Sequence, residues 1–179
     1  ITDSPSATVA EHIVETLLEL TPDGNIVPKL AESYDVSPDG RVWTLRLRRG
    51  ITFHDGTPFN AEAVKYNVER ISDPANAVTF AFLLDAVSEV RVVDEYTVQL
   101  VTEEPFAPMI NHLTHSATGM QSPAAIERYG EDYGLNPVGT GPFVFKEWIA
   151  GDQITLVRND NYWGNAAQVD EVVFRVVPE

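Results

Sequence analysis

Cysteine is absent from this chain, and its absence excludes disulfides, a thiolate nucleophile and cysteine-ligated zinc. It does not assign a compartment, because many exported proteins also lack cysteine. Positive charge is scarce: 12 Lys and Arg stand against 27 Asp and Glu, for a net charge of −15. Such a surface repels phosphates, which argues against nucleic acid or an anionic membrane as a partner. No apolar run approaches the ~20 residues of a membrane span, so direct insertion in a membrane is not expected. No stretch has the form of a signal peptide, and Ile1 opens without Met in what reads as a polar loop, as expected of a processed or trimmed start. Internal repeats and low-complexity linkers are also missing.

What is present reads as a folded domain. The 179 residues, 44% hydrophobic and 22% charged, suit one domain, or one with a small appendage, able to bury a core. Residues 30–70 carry the clearest pattern. Tyr34 and Val36 alternate with Ser33, Asp35 and Ser37 up to the turn Ser37-Pro38-Asp39-Gly40, where Pro presets φ, Asp bonds its own backbone and Gly takes positive φ. Trp43, Leu45 and Leu47 then share one face and Thr44, Arg46 and Arg48 the other, the period-two pattern of a half-buried strand. Asn60 is placed to cap a helix in which Ala61, Val64, Val68 and Ile71 recur at helical spacing, with Glu62 in its first turn and Pro74 beyond its end.

The rest of the chain is read in the same way. A helix is expected over 3–20, with Val9, Ile13, Val14 and Leu17 on one stripe, Asp3 or Ser4 as cap and Pro5 in the first turn. Thr21-Pro22-Asp23-Gly24 repeats the turn chemistry and leads to a short strand at 25–27. A loop at 73–76 precedes an apolar cluster of Phe80, Phe82, Leu83 and Leu84. A second hairpin is expected from 87–93 and 96–101, and a short helical stripe from Phe106, Met109, Ile110 and Leu113. Ser122-Pro123 opens a helix that ends at Gly130. From Gly141 the pattern is β again: Phe143, Phe145 and Trp148 lead to a Gly151-Asp152 turn, after which Ile154, Leu156 and Arg158 alternate with Thr155 and Val157. The run 171–177 reads as a strand buried on both faces, and Trp43, Trp148 and Trp163 as core. The fold class is therefore mixed α/β (α+β).

Little in the sequence points to catalysis. His112 and His115 stand three apart, a spacing compatible with metal, but no third ligand lies at a diagnostic distance, and no metal site is expected. Glu103-Glu104 and Glu131-Asp132 would suit acid–base chemistry, yet they sit among turn residues in a chain where adjacent acids arise by chance. No Gly-x-Ser-x-Gly elbow or other nucleophile setting occurs. Gly139-Thr140-Gly141 lacks the Gly-Lys-Ser/Thr ending of a phosphate loop and reads as a tight turn. No catalytic residue and no cofactor is assigned. An acidic α/β hydrolase-like or accessory enzyme domain is the alternative reading, carried only by the carboxylate pairs and the histidines.

Four motifs in a fixed order carry more. They are AESYDVSPDGRVWTLRLRRGITFHDGTPFNAEAV at 31–64, NPVGTGPF at 136–143, RNDNYWG at 158–164 and VDEVVF at 169–174. Together they resemble the peptide/nickel/oligopeptide class of extracytoplasmic solute-binding proteins of ABC importers, large receptors of the type II periplasmic-binding-protein fold with an extra subdomain. The resemblance runs from about Ser6 to the last residue. It implies the first lobe of a bilobal fold, in part: 1–24 begins the ligand-binding lobe, 25–135 forms an inserted α/β subdomain, and 136–179 returns to the lobe. The second lobe has no counterpart in this sequence.

The same resemblance implies a non-enzymatic function. A receptor of this class captures a peptide or similarly sized solute by closing two lobes over it, then docks on a membrane permease. It resides in the periplasm or, in Gram-positive bacteria, is anchored at the cell surface. Ligand contacts are implied at Ser6, Ala7 and Thr8, at Phe80 and Phe82, and at His115, Ser116 and Thr118, where hydroxyls and an aromatic wall suit a peptide backbone or a chelate. His54, in Phe53-His54-Asp55-Gly56, and the Tyr162-Trp163-Gly164 motif are implied to be structural. Groups fixing a peptide's charged ends would come largely from the other lobe, so this chain alone is expected to bind weakly or not at all. A third reading is a folded lobe without activity that self-associates through an exposed hinge side and the edge at 172–177.

Overall fold

The computed structural model describes residues 4–76 and 78–176, with side chains described from Ala7 onward. Helix α1 (Ser4–Ala10) is shorter than the helix expected over 3–20, and the proposed cap Asp3 lies outside the described residues. After a loosening turn at 11–14 the chain becomes extended. Glu15 bridges to Met120, and β1 (Leu18–Leu20) pairs antiparallel with β2 (Ile26–Pro28) across the Thr21–Gly24 turn. The stripe of Ile13, Val14 and Leu17 is buried as its apolar character requires, but tertiary partners decide its conformation. The carbonyls of His12 and Ile13, which a continuing helix would need, accept instead from the N–H groups of Phe143 and Gly141. β-branched Ile13, Val14 and Thr16 weaken the helical alternative further.

The two predicted hairpins form and merge. β3 (Ala31–Val36) pairs with β4 (Val42–Leu47), and β5 (Val87–Asp94) pairs with β6 (Thr97–Thr102). β6 also lies against β4, which gives one antiparallel sheet in the order β3-β4-β6-β5. The pairs Trp43↔Leu100 and Leu45↔Val98 put four buried side chains on one face. Helix α2 (Ala61–Ser72) lies across β5 and β6 and contributes Val64, Val68 and Ile71 to the same core. Full burial of each such side chain stabilises by about 1.5–3 kcal/mol. Asn60 caps the helix as its position predicts, its Oδ1 accepting the Ala63 N–H at 3.0 Å. Helix α3 (Met109–His112) buries Met109, and α4 (Pro123–Tyr129) starts at Ser122, whose Oγ accepts the Ala125 N–H at 3.1 Å.

A separate three-stranded antiparallel sheet closes the chain: β7 (Phe143–Ile149), β8 (Gln153–Arg158) and β9 (Glu171–Arg175), in that order. Ile13 and Val14 pack on it with Phe143 and Leu156 as a small second core. A bulge between Phe145 and Glu147 shifts the pleat so that Phe145 and Trp148 share a face. Two expectations are corrected here. β9 is not buried on both faces: it is an edge strand, with Val172 and Phe174 half-buried and Val173 40% exposed. Trp148 is not core either; it is 51% exposed, because it sits at the turn end of the hairpin beside Gly151.

Candidate functional site

A buried polar joint links the exit of α1 to the two later motifs. Glu15 is 2% exposed, and its carboxylate accepts three side-chain hydrogen bonds: Thr140 Oγ1 at 2.8 Å, Trp163 Nε1 at 2.8 Å and Tyr162 Oη at 2.6 Å. Burial and the Glu15 hydrogen bond both push the Tyr162 hydroxyl well above its usual range. The Arg48 guanidinium lies 5.3 Å from the centre of the Trp163 ring. Gly139 and Gly141 permit the close approach: a Cβ at Gly139 would stand 2.1 Å from the Ile13 carbonyl oxygen, and one at Gly141 2.6 Å from that of His12.

His54 clamps the same turn. Its N–H donates to Gly139 O at 2.9 Å, and its Nε2 lies 2.9 Å from Gly141 O, so Nε2 carries the proton in the neutral ring. Burial lowers its pKa, against the opposing pull of the Gly141 carbonyl and the Glu15 charge. Asp55, next to it, ionises more readily than usual. Its partial burial opposes this, but hydrogen bonds from Ser122 and Thr57 outweigh the burial.

Beside this joint lies a cleft of about 540 Å³, within the ~300–1,000 Å³ of small-molecule sites. Val9, Ala10, Ile13 and Val14 form one wall, and Phe145, Trp148 and Ile154 of the terminal sheet form another. Arg70, Ile71 and the 78–80 segment supply a third, and Ala117, Gln121, Glu131, Tyr133 and Pro137 also line it. Tyr133 is held by a reciprocal pair of 3.1 Å hydrogen bonds with the Val138 backbone, and burial pushes its hydroxyl up to about 12.

The implied contact residues fall around this region unevenly. α1, which carries Ser6, Ala7 and Thr8, lies against the 116–118 turn; the Ser6 side chain is outside those described, Ala7 is half-buried and Thr8 is exposed. Phe80 lines the cleft, and the His115 ring packs on it at 5.2 Å between centroids. Phe82 is 60% exposed and touches Phe80, but does not line the cleft. Ser116 is half-buried. Thr118 corrects the expectation of an accessible hydroxyl: it is 1% exposed and its Oγ1 donates to the His112 and His115 carbonyls. His112 and His115 do not converge on a metal. Nδ1 of His112 bonds to Leu83 O, and Nδ1 of His115 accepts the Ala117 N–H. Glu103, Glu104, Glu131 and Asp132 are all exposed, and Glu104 pairs with Arg41.

Glu15, Arg70, Tyr133 and Trp148 were not anticipated as lining or joint residues. Only Glu15 carried a sequence signal, as a lone acid between apolar neighbours in Ile13-Val14-Glu15-Thr16-Leu17-Leu18. Among the described residues no helix is long and apolar enough to cross a membrane.

The backbone as a whole is that of periplasmic binding proteins. AgaA of A. tumefaciens R10, solved with agropinic acid, superposes with a TM-score of 0.91 at 35% identity, over 98% of this chain and 36% of its own. DppA of Helicobacter pylori, solved with the peptide STSA, gives 0.89 at 30% identity, over 99% of this chain and 39% of its own. Fold and sequence together therefore place the chain in the class of periplasmic binding proteins. Residues 25–179 match the family described as bacterial extracellular solute-binding proteins, family 5 Middle, and the chain belongs to that family. The glutathione-binding protein GsiB of Escherichia coli K12 is 40% identical over 178 residues, 99% of this chain and 35% of GsiB. The chain thus spans about a third of the length of the curated relatives it matches.

Proposed function

We propose that this chain is part of the solute-binding component of an ATP-driven importer, most suited to peptides or solutes of similar size, and that it has no enzymatic role. The observation that carries this is the cleft where the α1 exit, the 78–80 segment and the terminal sheet meet, apolar and aromatic on its walls. Its volume suits a short peptide or comparable molecule, and aromatic walls with few polar groups are typical of capture sites. Relatives named for glutathione, agropinic acid and a peptide support the same class of solute. Residues 1–24 and 136–179 act as the ligand-binding lobe and 25–135 as the inserted subdomain; Phe80 meets the solute from the cleft wall, and Ala7, Thr8, Phe82, His115 and Ser116 reach it from the segments beside the cleft. Closure against a second lobe then buries the ligand and presents the receptor to a membrane permease outside the cytoplasm.

A thermal-shift screen of the full-length gene product against di- to pentapeptides, metal chelates and small sugars tests this. A midpoint that rises with peptide concentration is expected, since a ligand that binds only the native state stabilises it by mass action. A rise with sugars alone would overturn the peptide assignment. Turnover of any bound peptide would overturn the non-enzymatic one.

A further inference from the structure

Arg70 stands out on the cleft wall. It is half-buried at the last turn of α2, and its guanidinium enters no hydrogen bond or ion pair among the described residues. This is unusual in a chain with a net charge of −15, where acids outnumber cations more than two to one. Nearby acids do not take it up: Glu69 pairs with Lys65, and Glu131, which lines the same cleft, has no ion pair among the described residues. A basic residue at a helix C-terminus complements the helix dipole, which accounts for a positive charge in the last turn. It does not account for a guanidinium left without an ion-pair partner on the wall of a largely apolar cleft.

Resting on the cleft reading above, we infer that Arg70 is a carboxylate-recognition residue, and that the cleft takes a solute with a carboxylate group and an apolar body. The planar guanidinium offers paired N–H donors that match a carboxylate in two-point geometry, and partial burial strengthens that contact relative to open water. The apolar body rests on Phe80, Phe145 and Trp148, three aromatic rings of the same lining. Because the cation is not neutralised internally, its pairing with solute replaces contact with water rather than an existing ion pair.

The probe pair is the dipeptide Gly-Phe and its C-terminal amide, titrated at millimolar concentrations into the full-length gene product and followed by amide proton–nitrogen correlation spectra. The acid should move resonances around Arg70, Phe80 and Tyr133 and bind about tenfold more tightly than the amide, the usual scale of one charge-assisted contact. Arg70→Gln should erase that preference and Arg70→Lys should keep part of it. Equal affinity of acid and amide, with shifts still at the cleft, overturns the role of Arg70 while leaving the cleft as the solute site. This comparison needs no variant, so a folding defect in Arg70→Gln cannot mask it. If neither probe moves cleft resonances, the cleft reading and the role of Arg70 both fail.

Discussion

Replacing Glu15 tests the polar joint directly. The wild-type carboxylate satisfies three donors, from Thr140, Tyr162 and Trp163, in a position only 2% exposed. Glu15→Ala leaves all three without a partner. Thr140 is itself buried, whereas Tyr162 and Trp163 are half-buried and regain some water. With about 1–3 kcal/mol for each buried donor left unsatisfied, the expected loss is about 3–5 kcal/mol. For a chain of this size that is a fall of roughly 10 °C in the melting midpoint. Glu15→Gln keeps the shape and one full acceptor. Its oxygen can serve Thr140 and Trp163, and the Tyr162 hydroxyl can rotate to accept from the new amide, so about 1–2 kcal/mol is expected. Urea unfolding of both variants, with Tyr162→Phe singly and combined with Glu15→Gln, gives the coupling as a double-mutant cycle. A Glu15→Ala variant within about 0.5 kcal/mol of wild type would refute the claim that this carboxylate holds the joint together.

Two further outcomes follow from the same region. His54 is neutral in the fold and its pKa is lowered by burial, so the stability it contributes is fully present above the unfolded value of about 6.5 and is lost as pH falls through the folded value. The melting difference between wild type and His54→Gln should therefore shrink from pH 7 toward pH 5; an unchanged difference would show that His54 is not held neutral. Gly139→Ala drives a Cβ to 2.1 Å from the Ile13 carbonyl and should prevent the joint from forming, whereas Gly151→Ala meets no atom within 4 Å and adds only the strain of φ +77°. Circular dichroism melts should show a loss above about 4 kcal/mol for the first and about 1 kcal/mol for the second; similar losses would contradict the close approach.

The hairpins and α2 were legible in the sequence because their determinants are local. Ser37–Gly40 dictates its own turn, Asn60 caps the helix that follows it, and the alternation of Trp43, Leu45 and Leu47 with polar neighbours marks the buried face before any partner is known. The 3–20 segment misled for the opposite reason. Its apolar stripe is genuine, but the partners that pull it out of helix, Met120, Gly141 and Phe143, lie more than a hundred residues away. Distance also hid Glu15, whose hydrogen bond to Thr140 spans 125 residues. At β9, an apolar run cannot by itself tell a central strand from an edge strand.

For the site, the implied residues on α1, at Phe80 and at His115 lie in neighbouring segments, while Thr118 turned inward because its hydroxyl caps the carbonyls of the preceding turn. Arg70 and Tyr133 carried no motif. Their place on the cleft wall is a product of packing between segments that are far apart in the chain.

The central claim is that this chain supplies one side of a two-lobed capture site. Titration calorimetry of the same peptide into the 179-residue chain and into the full-length gene product tests it most directly. The account predicts binding at least a hundredfold weaker, ~2.7 kcal/mol, for the chain alone, because lobe closure and its contacts are missing. Equal affinity in the two would contradict it and show that these residues form a complete binding site on their own.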